Sequence, residues 1–194
     1  MTLFWAKLIW FLGVAGWLII RHPHARRSRR TPTVRRGGRV RDLVLLSVSS
    51  IGMFVLPAIY VLGNQPRFAS YPFQPVLAWL GVAVFAAALW LFRRTHKELG
   101  RHWSVTLEIR DKHALVTDGI YSRIRHPMYA AFWLWALAQA LLLPNWIAGP
   151  AGLVGFVMLF FLRVGPEERL MEETFGEEYR RYVARTGRIV PRLF

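Results

Sequence analysis

The stretch VLAWLGVAVFAAALWLF, Val76 to Phe92, holds no charged, amide or hydroxyl side chain. Such a run fits hydrocarbon better than water, and its length approaches the ~20 apolar residues that a ~30 Å bilayer core demands. Leu3–Ile20 and Leu43–Leu62 read the same way. Two shorter runs, Met128–Leu143 and Trp146–Leu162, are parted only by Pro144-Asn145, which predicts a tight helical hairpin. At ~1.5 Å rise per residue about sixteen residues reach only ~24 Å, so this hairpin is thin for the bilayer or nearly upright in it. The expected fold class is all-α and integral to the membrane, with about five transmembrane helices.

Composition agrees with that reading. The 194 residues are 54% hydrophobic and the mean hydropathy is +0.28, high for a soluble protein. No internal repeat or long linker divides the chain, so one integral-membrane domain is expected, with three spans in residues 1–95 and a polar-rich half in residues 96–194. The first run lacks a basic leader and ends in Arg21-His22-Pro23 without a small-residue cleavage pattern, which reads as a retained helix.

Lys and Arg number 26 against 11 Asp and Glu, a formal charge of +15. The charges are unevenly placed: Arg21–Arg41 and Arg93–Arg125 are basic, whereas Gly63–Pro75 carries only Arg67. By the positive-inside rule the two basic loops and the tail after Arg163 face the cytoplasm, and the N-terminus lies outside. The loop RHPHARRSRRTPTVRRGGRVR has no interleaved aromatic residues on which bases could stack, so its expected partner is anionic lipid headgroups and not nucleic acid.

Several chemistries drop out. Without cysteine there are no disulfides, thiolate nucleophiles or Cys-based metal sites. The six histidines fall in loops or at helix ends, which removes the facing axial ligands of a membrane haem carrier, and no metal site is expected. The first three spans carry no acidic residue, which argues against a proton-coupled transporter.

The polar residues gather on the cytoplasmic side. In HKELGRHWSVTLEIRDKHALVTDGIYSRIRHPMY, short β-like pieces are expected around Leu107–Ile109 and Ala114–Thr117, with turns at Asp111-Lys112 and Asp118-Gly119. Pro127 suits the first position of the fourth membrane helix, with His126 as its cap, because proline lacks the N–H that would go unpaired there. A helix starting there turns the Met128 and Tyr129 N–H groups and its positive dipole end toward the cytoplasm, an arrangement that suits a carboxylate or phosphate aided by Arg125 and His126. A capped membrane helix with snorkelling Arg123 and Arg125 and an interfacial Tyr129 accounts for the same residues.

Beyond the fifth run, Gly165-Pro166 is expected to break the helix and restart it with Glu167 and Glu168 in the first turn. Leu170, Phe175, Tyr179 and Tyr182 would then line one side of an amphipathic helix on the membrane.

Taken in order, H-x-L-V-x-x-G-x-Y, R-H-P-x-Y at a helix start, a helical hairpin, R-x-x-x-E-E and F-G-x-x-Y-x-x-Y resemble the isoprenylcysteine carboxyl methyltransferase family. The matching residues are His113, Leu115, Val116, Gly119, Tyr121, Arg125 to Pro127, Tyr129, Arg163, Glu167, Glu168, Phe175, Gly176, Tyr179 and Tyr182. Length and layout are closest to the small prokaryotic members. The resemblance implies a membrane enzyme whose residues 96–194 form the cofactor-binding catalytic half and enclose S-adenosylmethionine, with a lipophilic or lipidated acceptor arriving from the bilayer.

It further implies that His113, Ala114, Leu115, Val116, Gly119, Tyr121, His126, Pro127, Met128, Tyr129 and Glu167 surround the cofactor. Arg163 lies on the substrate side, and Arg163 with Glu167 forms the catalytic pair. A carboxylate acceptor is favoured. The alternatives are a phospholipid or amine N-methyltransferase using Glu167 or Glu168 as base, and a non-enzymatic membrane scaffold or lipid-binding protein.

Overall fold

The computed structural model describes residues 1–30, 33–36, 39–99, 108–110 and 115–192. Helices dominate: α1 (Leu3–Arg30), α2 (Arg39–Ser50), a π-helical turn (Ile51–Val55), α3 (Leu56–Gly63), α4 (Pro75–Leu99), α5 (Pro127–Leu142), α6 (Ala151–Phe175) and α7 (Glu177–Arg185). Two short strands, β1 (Thr33–Arg36) and β2 (Glu108–Arg110), pair antiparallel, with Thr33 opposite Arg110 and Arg36 opposite Glu108. The loop after the first span thereby meets the segment after the third.

Three stretches, Leu3–Ala25, Val40–Gly63 and Pro75–Leu99, are long and apolar enough to cross a membrane, and α5 is a shorter apolar helix. Large apolar side chains such as Phe4, Phe11, Ile19, Trp79, Trp90 and Phe161 point outward, as expected of a surface solvated by lipid. The molecule is a multi-pass helical membrane protein. Lys7, the one charge in the first run, donates from Nζ to the Tyr60 carbonyl at 3.0 Å and to Asn64 Oδ1, and it lies over the Tyr60 ring.

Small residues set the helix contacts. A Cβ on Gly13 would collide with the Phe85 ring, whereas one on Gly16 would meet only Leu89 at 3.8 Å, so α1 packs on α4 at Gly13. The backbones of α2 and α6 approach at Gly155, where a Cβ would stand 3.1 Å from Ser49 Cα. Trp135 sits at the centre, 2% exposed, with Trp17, Phe54 and Phe85 packed edge-on around it.

Two buried amide side chains of the bundle, Gln139 and Asn145, bond to backbone. Gln139 Nε2 donates to the carbonyls of Gly52, Ala148 and Gly149 at 3.1, 2.8 and 3.2 Å. One amide thus meets a carbonyl in the π-helical turn, where the ordinary ladder is interrupted, and two in the α5–α6 turn. Asn145 staples that turn, accepting from the Ile147 and Ala148 N–H groups and donating to the Pro66 carbonyl.

Two expectations need correction. Helix α6 passes Gly165-Pro166 unbroken, as α1 passes Pro23. A proline inside a helix removes one donor and costs about 3 kcal/mol, which packing of the flanking turns can offset. The break falls instead at Gly176, whose φ of 54° no other residue adopts cheaply. Of the two β-like pieces, β2 overlaps the first; residues 115–117 form no strand, and Leu107 and Ala114 lie outside the described residues.

Candidate active site

Helix α5 begins at Pro127, and His126 is its N-cap with φ −122° and ψ 60°. The first intrahelical bond runs from the Ala130 N–H to the His126 carbonyl at 3.1 Å. No side-chain cap bond is made, so the His126 imidazole is directed elsewhere. It stacks on the Tyr129 ring with centroids 5.4 Å apart.

Opposite stands α6, where the unbroken helix carries Arg163 and, one turn on, the adjacent Glu167 and Glu168. The Tyr129 hydroxyl donates to Glu167 Oε2 at 2.6 Å. His126 Nδ1 lies 3.9 Å from Glu167 Oε1, and His126 Nε2 lies 3.3 Å from Glu168 Oε1. The two adjacent carboxylates differ: Glu167 keeps 31% of its side chain exposed, while Glu168 keeps 15% and meets three basic partners, Arg125, His126 and Arg188. Burial alone would raise the Glu168 carboxyl, but hydrogen bonds from His126 and Arg188 and their charges outweigh it and hold the group well below the usual carboxylate range. Arg188 is raised in turn by its bond to Glu168.

Arg163 is 7% exposed, one turn before Glu167. It lies within electrostatic reach of the Tyr129 hydroxyl, as do Glu167 and Asp42. Asp42, in the first turn of α2 and 1% exposed, escaped the sequence reading because it stands just outside the second apolar run among arginines. An acid in the first turn of a membrane helix was the available signal.

A third segment closes the site. Tyr121 is buried in the 3-10 turn Gly119–Ser122, and its carbonyl accepts from the Tyr182 hydroxyl of α7 at 2.7 Å. Burial first, then the charges of Tyr182, Glu167 and Glu98, push the Tyr121 phenol up. Burial likewise moves Tyr182 to about 12. Glu98, near the end of α4, fixes the turn: its Oε2 accepts from the Ile120 N–H at 2.6 Å while Oε1 pairs with Arg94 at 2.9 Å. Gly119 has φ 58°, and a Cβ there would stand 2.5 Å from Glu98 Oε2. Glu98 was not singled out in the sequence, because the turn it holds lies beyond the next loop.

Of the residues expected at the site, Tyr121, His126, Tyr129, Arg163 and Glu167 converge. Pro127 is buried and Met128 half-buried at the start of α5. Gly119 is exposed, and its role visible here is to hold the turn against Glu98. Leu115 and Val116 are half-buried just upstream, and His113 and Ala114 lie outside the described residues. Arg125, expected to help an anion dock, is engaged otherwise: Nε meets Glu168 at 3.2 Å, and the guanidinium donates to the Val183 and Thr186 carbonyls at the end of α7. Among the described residues no group of His, Asp and Glu is arranged to hold a metal.

Fold and site define a multi-pass helical membrane protein with a buried His–Tyr–Glu–Arg cluster where α5 and α6 meet. Residues 79–173 match the sequence model of the isoprenylcysteine carboxyl methyltransferase (ICMT) family. This stretch runs from α4 to near the end of α6 and takes in just under half of the chain. The chain is similar to protein-S-isoprenylcysteine O-methyltransferase of Schizosaccharomyces pombe, 39% identical over 70 residues that make up 36% of this chain and 30% of that protein. It is also similar to protein-S-isoprenylcysteine O-methyltransferase B of Arabidopsis thaliana, 34% identical over 94 residues, 47% of this chain and 48% of that one. The match thus spans less than half the length of these relatives. A solved structure of the eukaryotic intramembrane Ras methyltransferase ICMT shares the fold, with a TM-score of 0.54 at 23% identity, covering 77% of this chain and 51% of that one.

Proposed function

We propose that this chain is an integral-membrane S-adenosylmethionine-dependent methyltransferase that methylates a carboxylate of a lipophilic or lipidated acceptor. The observation that carries the reading is the closure of α5 on α6: the hydroxyl of Tyr129 bonds Glu167 Oε2 at 2.6 Å, and His126 Nδ1 stands 3.9 Å from the other oxygen. The two relatives named above are O-methyltransferases by name, which supports the reaction class.

The residues fit the donor. A half-open carboxylate beside two aromatic rings complements a sulfonium cation and offers acceptor oxygens for hydroxyl or amino groups. The positive end of the α5 dipole complements the donor's own carboxylate. When bound, S-adenosylmethionine supplies an electrophilic methyl group on sulfur.

The chain contributes alignment and dryness. Glu167, Tyr129, His126 and the turn at Tyr121 hold the donor; Pro127 and the backbone of Leu115, Val116 and Met128 shape its surroundings. Arg163 orients the anionic acceptor through charge-assisted, forked contact. Excluding water favours a step in which opposite charges cancel, and proximity contributes up to ~7–11 kcal/mol in favourable cases. A carboxylate acceptor is already ionised at neutral pH and needs no base. An amine acceptor would need one, and Glu168, held below the usual carboxylate range by its partners, is poorly suited to that task, which leaves Glu167 as the base of the amine alternative.

The site then faces the cytoplasm, the N-terminus lies outside, and residues 1–194 work as one unit, with basic loops on anionic headgroups. Titration of the detergent-solubilised protein with S-adenosylhomocysteine tests the reading. Saturable binding, weakened by Glu167→Ala, is expected; a folded protein that binds nothing at millimolar ligand overturns it in favour of a scaffold.

A further inference from the structure

The residues after α7 lie along the segment that leads into α5. The Arg125 N–H donates to the Gly187 carbonyl at 2.8 Å, the His126 N–H to the Arg188 carbonyl at 2.8 Å, and the Gly187 N–H returns to the Arg123 carbonyl at 3.0 Å. Ile124 and Gly187 form a parallel bridge. The strap turns back so tightly that a Cβ on Gly187 would overlap the Val190 carbonyl.

From this strap the Arg188 side chain reaches Glu168. Its Nε donates to Oε1 and Oε2 at 3.1 and 3.0 Å, and Nη2 donates to Oε2 at 2.6 Å. Glu168 Oε1 also takes Arg125 Nε at 3.2 Å and faces His126 Nε2 at 3.3 Å. Arg125 meets Glu168 through Nε alone, while its Nη1 is drawn away to the Val183 and Thr186 carbonyls at the end of α7. Arg188 is the half-exposed outer member of the set, at 53%, and Glu168 the inner one at 15%.

We propose that Arg188 is a positioning residue of the candidate active site: it fixes Glu168 from outside, and Glu168 holds the His126 imidazole in the orientation that turns Nδ1 toward Glu167. The proposal rests on the methyl-transfer reading for its consequence, donor binding, but its geometry stands by itself. Two fixed carboxylate oxygens leave the imidazole one place to dock. Without the fork Oε2 loses its partner and Glu168 is held only through Oε1, by Arg125 Nε and His126, so the carboxylate can turn about that contact and shift the ring.

The experiment compares wild type, Arg188→Gln, Arg188→Lys and, as a control on an exposed arginine outside the site, Arg180→Gln. Histidine-ring NMR in detergent, with the His126 signals assigned by their loss in His126→Asn, reads ring orientation. Titration with S-adenosylhomocysteine reads binding. Arg188→Gln is expected to move the His126 signals and weaken binding roughly ten-fold, the scale of one charge-assisted contact. Arg188→Lys, a point charge without the fork, falls between, and it serves in place of the glutamine variant should that one fail to fold. Arg180→Gln leaves both readouts unchanged. Unmoved His126 signals overturn the proposal, and so does a moved ring with wild-type affinity. If wild type binds no S-adenosylhomocysteine, the methyl-transfer reading falls separately, and the ring signals alone decide whether Arg188 orients His126.

Discussion

The hydroxyl of Tyr129 bonds the carboxylate of Glu167 at 2.6 Å across 38 positions of sequence, joining the first turn of α5 to α6. That contact defines the mouth of the site. Tyr129→Phe removes it with little change in shape, so a loss of about 1.5–3 kcal/mol in stability, the worth of a hydrogen bond to a charged group, is expected. Thermal unfolding in detergent reads that loss, and titration with S-adenosylhomocysteine should show weaker binding in the same variant. Wild-type affinity in a folded Tyr129→Phe would remove the pair from the donor site.

Replacing Arg163 should separate acceptor from donor. Arg163→Ala is expected to lower kcat/KM for a carboxylate acceptor by roughly ten- to a hundred-fold, the worth of a charged hydrogen-bonding pair at about 1.5–3 kcal/mol. Donor affinity should change little, and Arg163→Lys should recover part of the loss. Methylation assays with carboxylate and amine acceptors in parallel decide; an equal fall for both would deny Arg163 its role in acceptor selection.

Acid should destabilise the protein through Glu168. Its carboxyl is held below the unfolded value of about 4.3, so its contribution is present above that pH and is lost as pH falls toward the folded value. Glu168→Gln should therefore lower stability at neutral pH and flatten the acid limb of a plot of Tm against pH. An unchanged acid limb would mean that other carboxylates set it.

Gly119→Ala meets two obstacles, a φ of 58° and a Glu98 oxygen 2.5 Å from the new Cβ. Left-handed backbone alone costs about 1–2 kcal/mol, and the contact adds to it. Gly119→Ala should unfold at a lower temperature than wild type and lose donor affinity; a wild-type midpoint would show that the Glu98 contact is immaterial.

In the first span, Gly13→Ala should destabilise and Gly16→Ala should not, because only the former meets an aromatic ring edge-on in the α4 interface. Unfolding midpoints of the two variants provide the check.

Much of this architecture was legible in the chain. Apolar runs announced the spans because lipid accepts no other composition over that length, and the R-H-P-x-Y pattern put His126 and Tyr129 at the start of a helix, where α5 begins; the R-x-x-x-E-E pattern marked Arg163 and Glu167 but set Glu167 at a helix start, whereas it lies inside α6. What escaped depends on partners distant in sequence. Pro166 looked like a break because a missing donor is local, whereas the packing that sustains the helix is not. Asp42 hid among arginines whose charges masked its burial, and Glu98 acts on Ile120, 22 positions away. The Arg188 strap is built largely from backbone bonds, which leave no side-chain pattern to read.

The bond that the Ile120 N–H donates to Glu98 fastens the C-terminal end of α4 to the turn that bears Tyr121. A helix of fixed length answers a thinner or thicker bilayer by changing its tilt. The turn must travel with it. Lipid thickness is therefore a mechanical input to the cluster, and vesicles of graded acyl-chain length would set its geometry without any change in the protein.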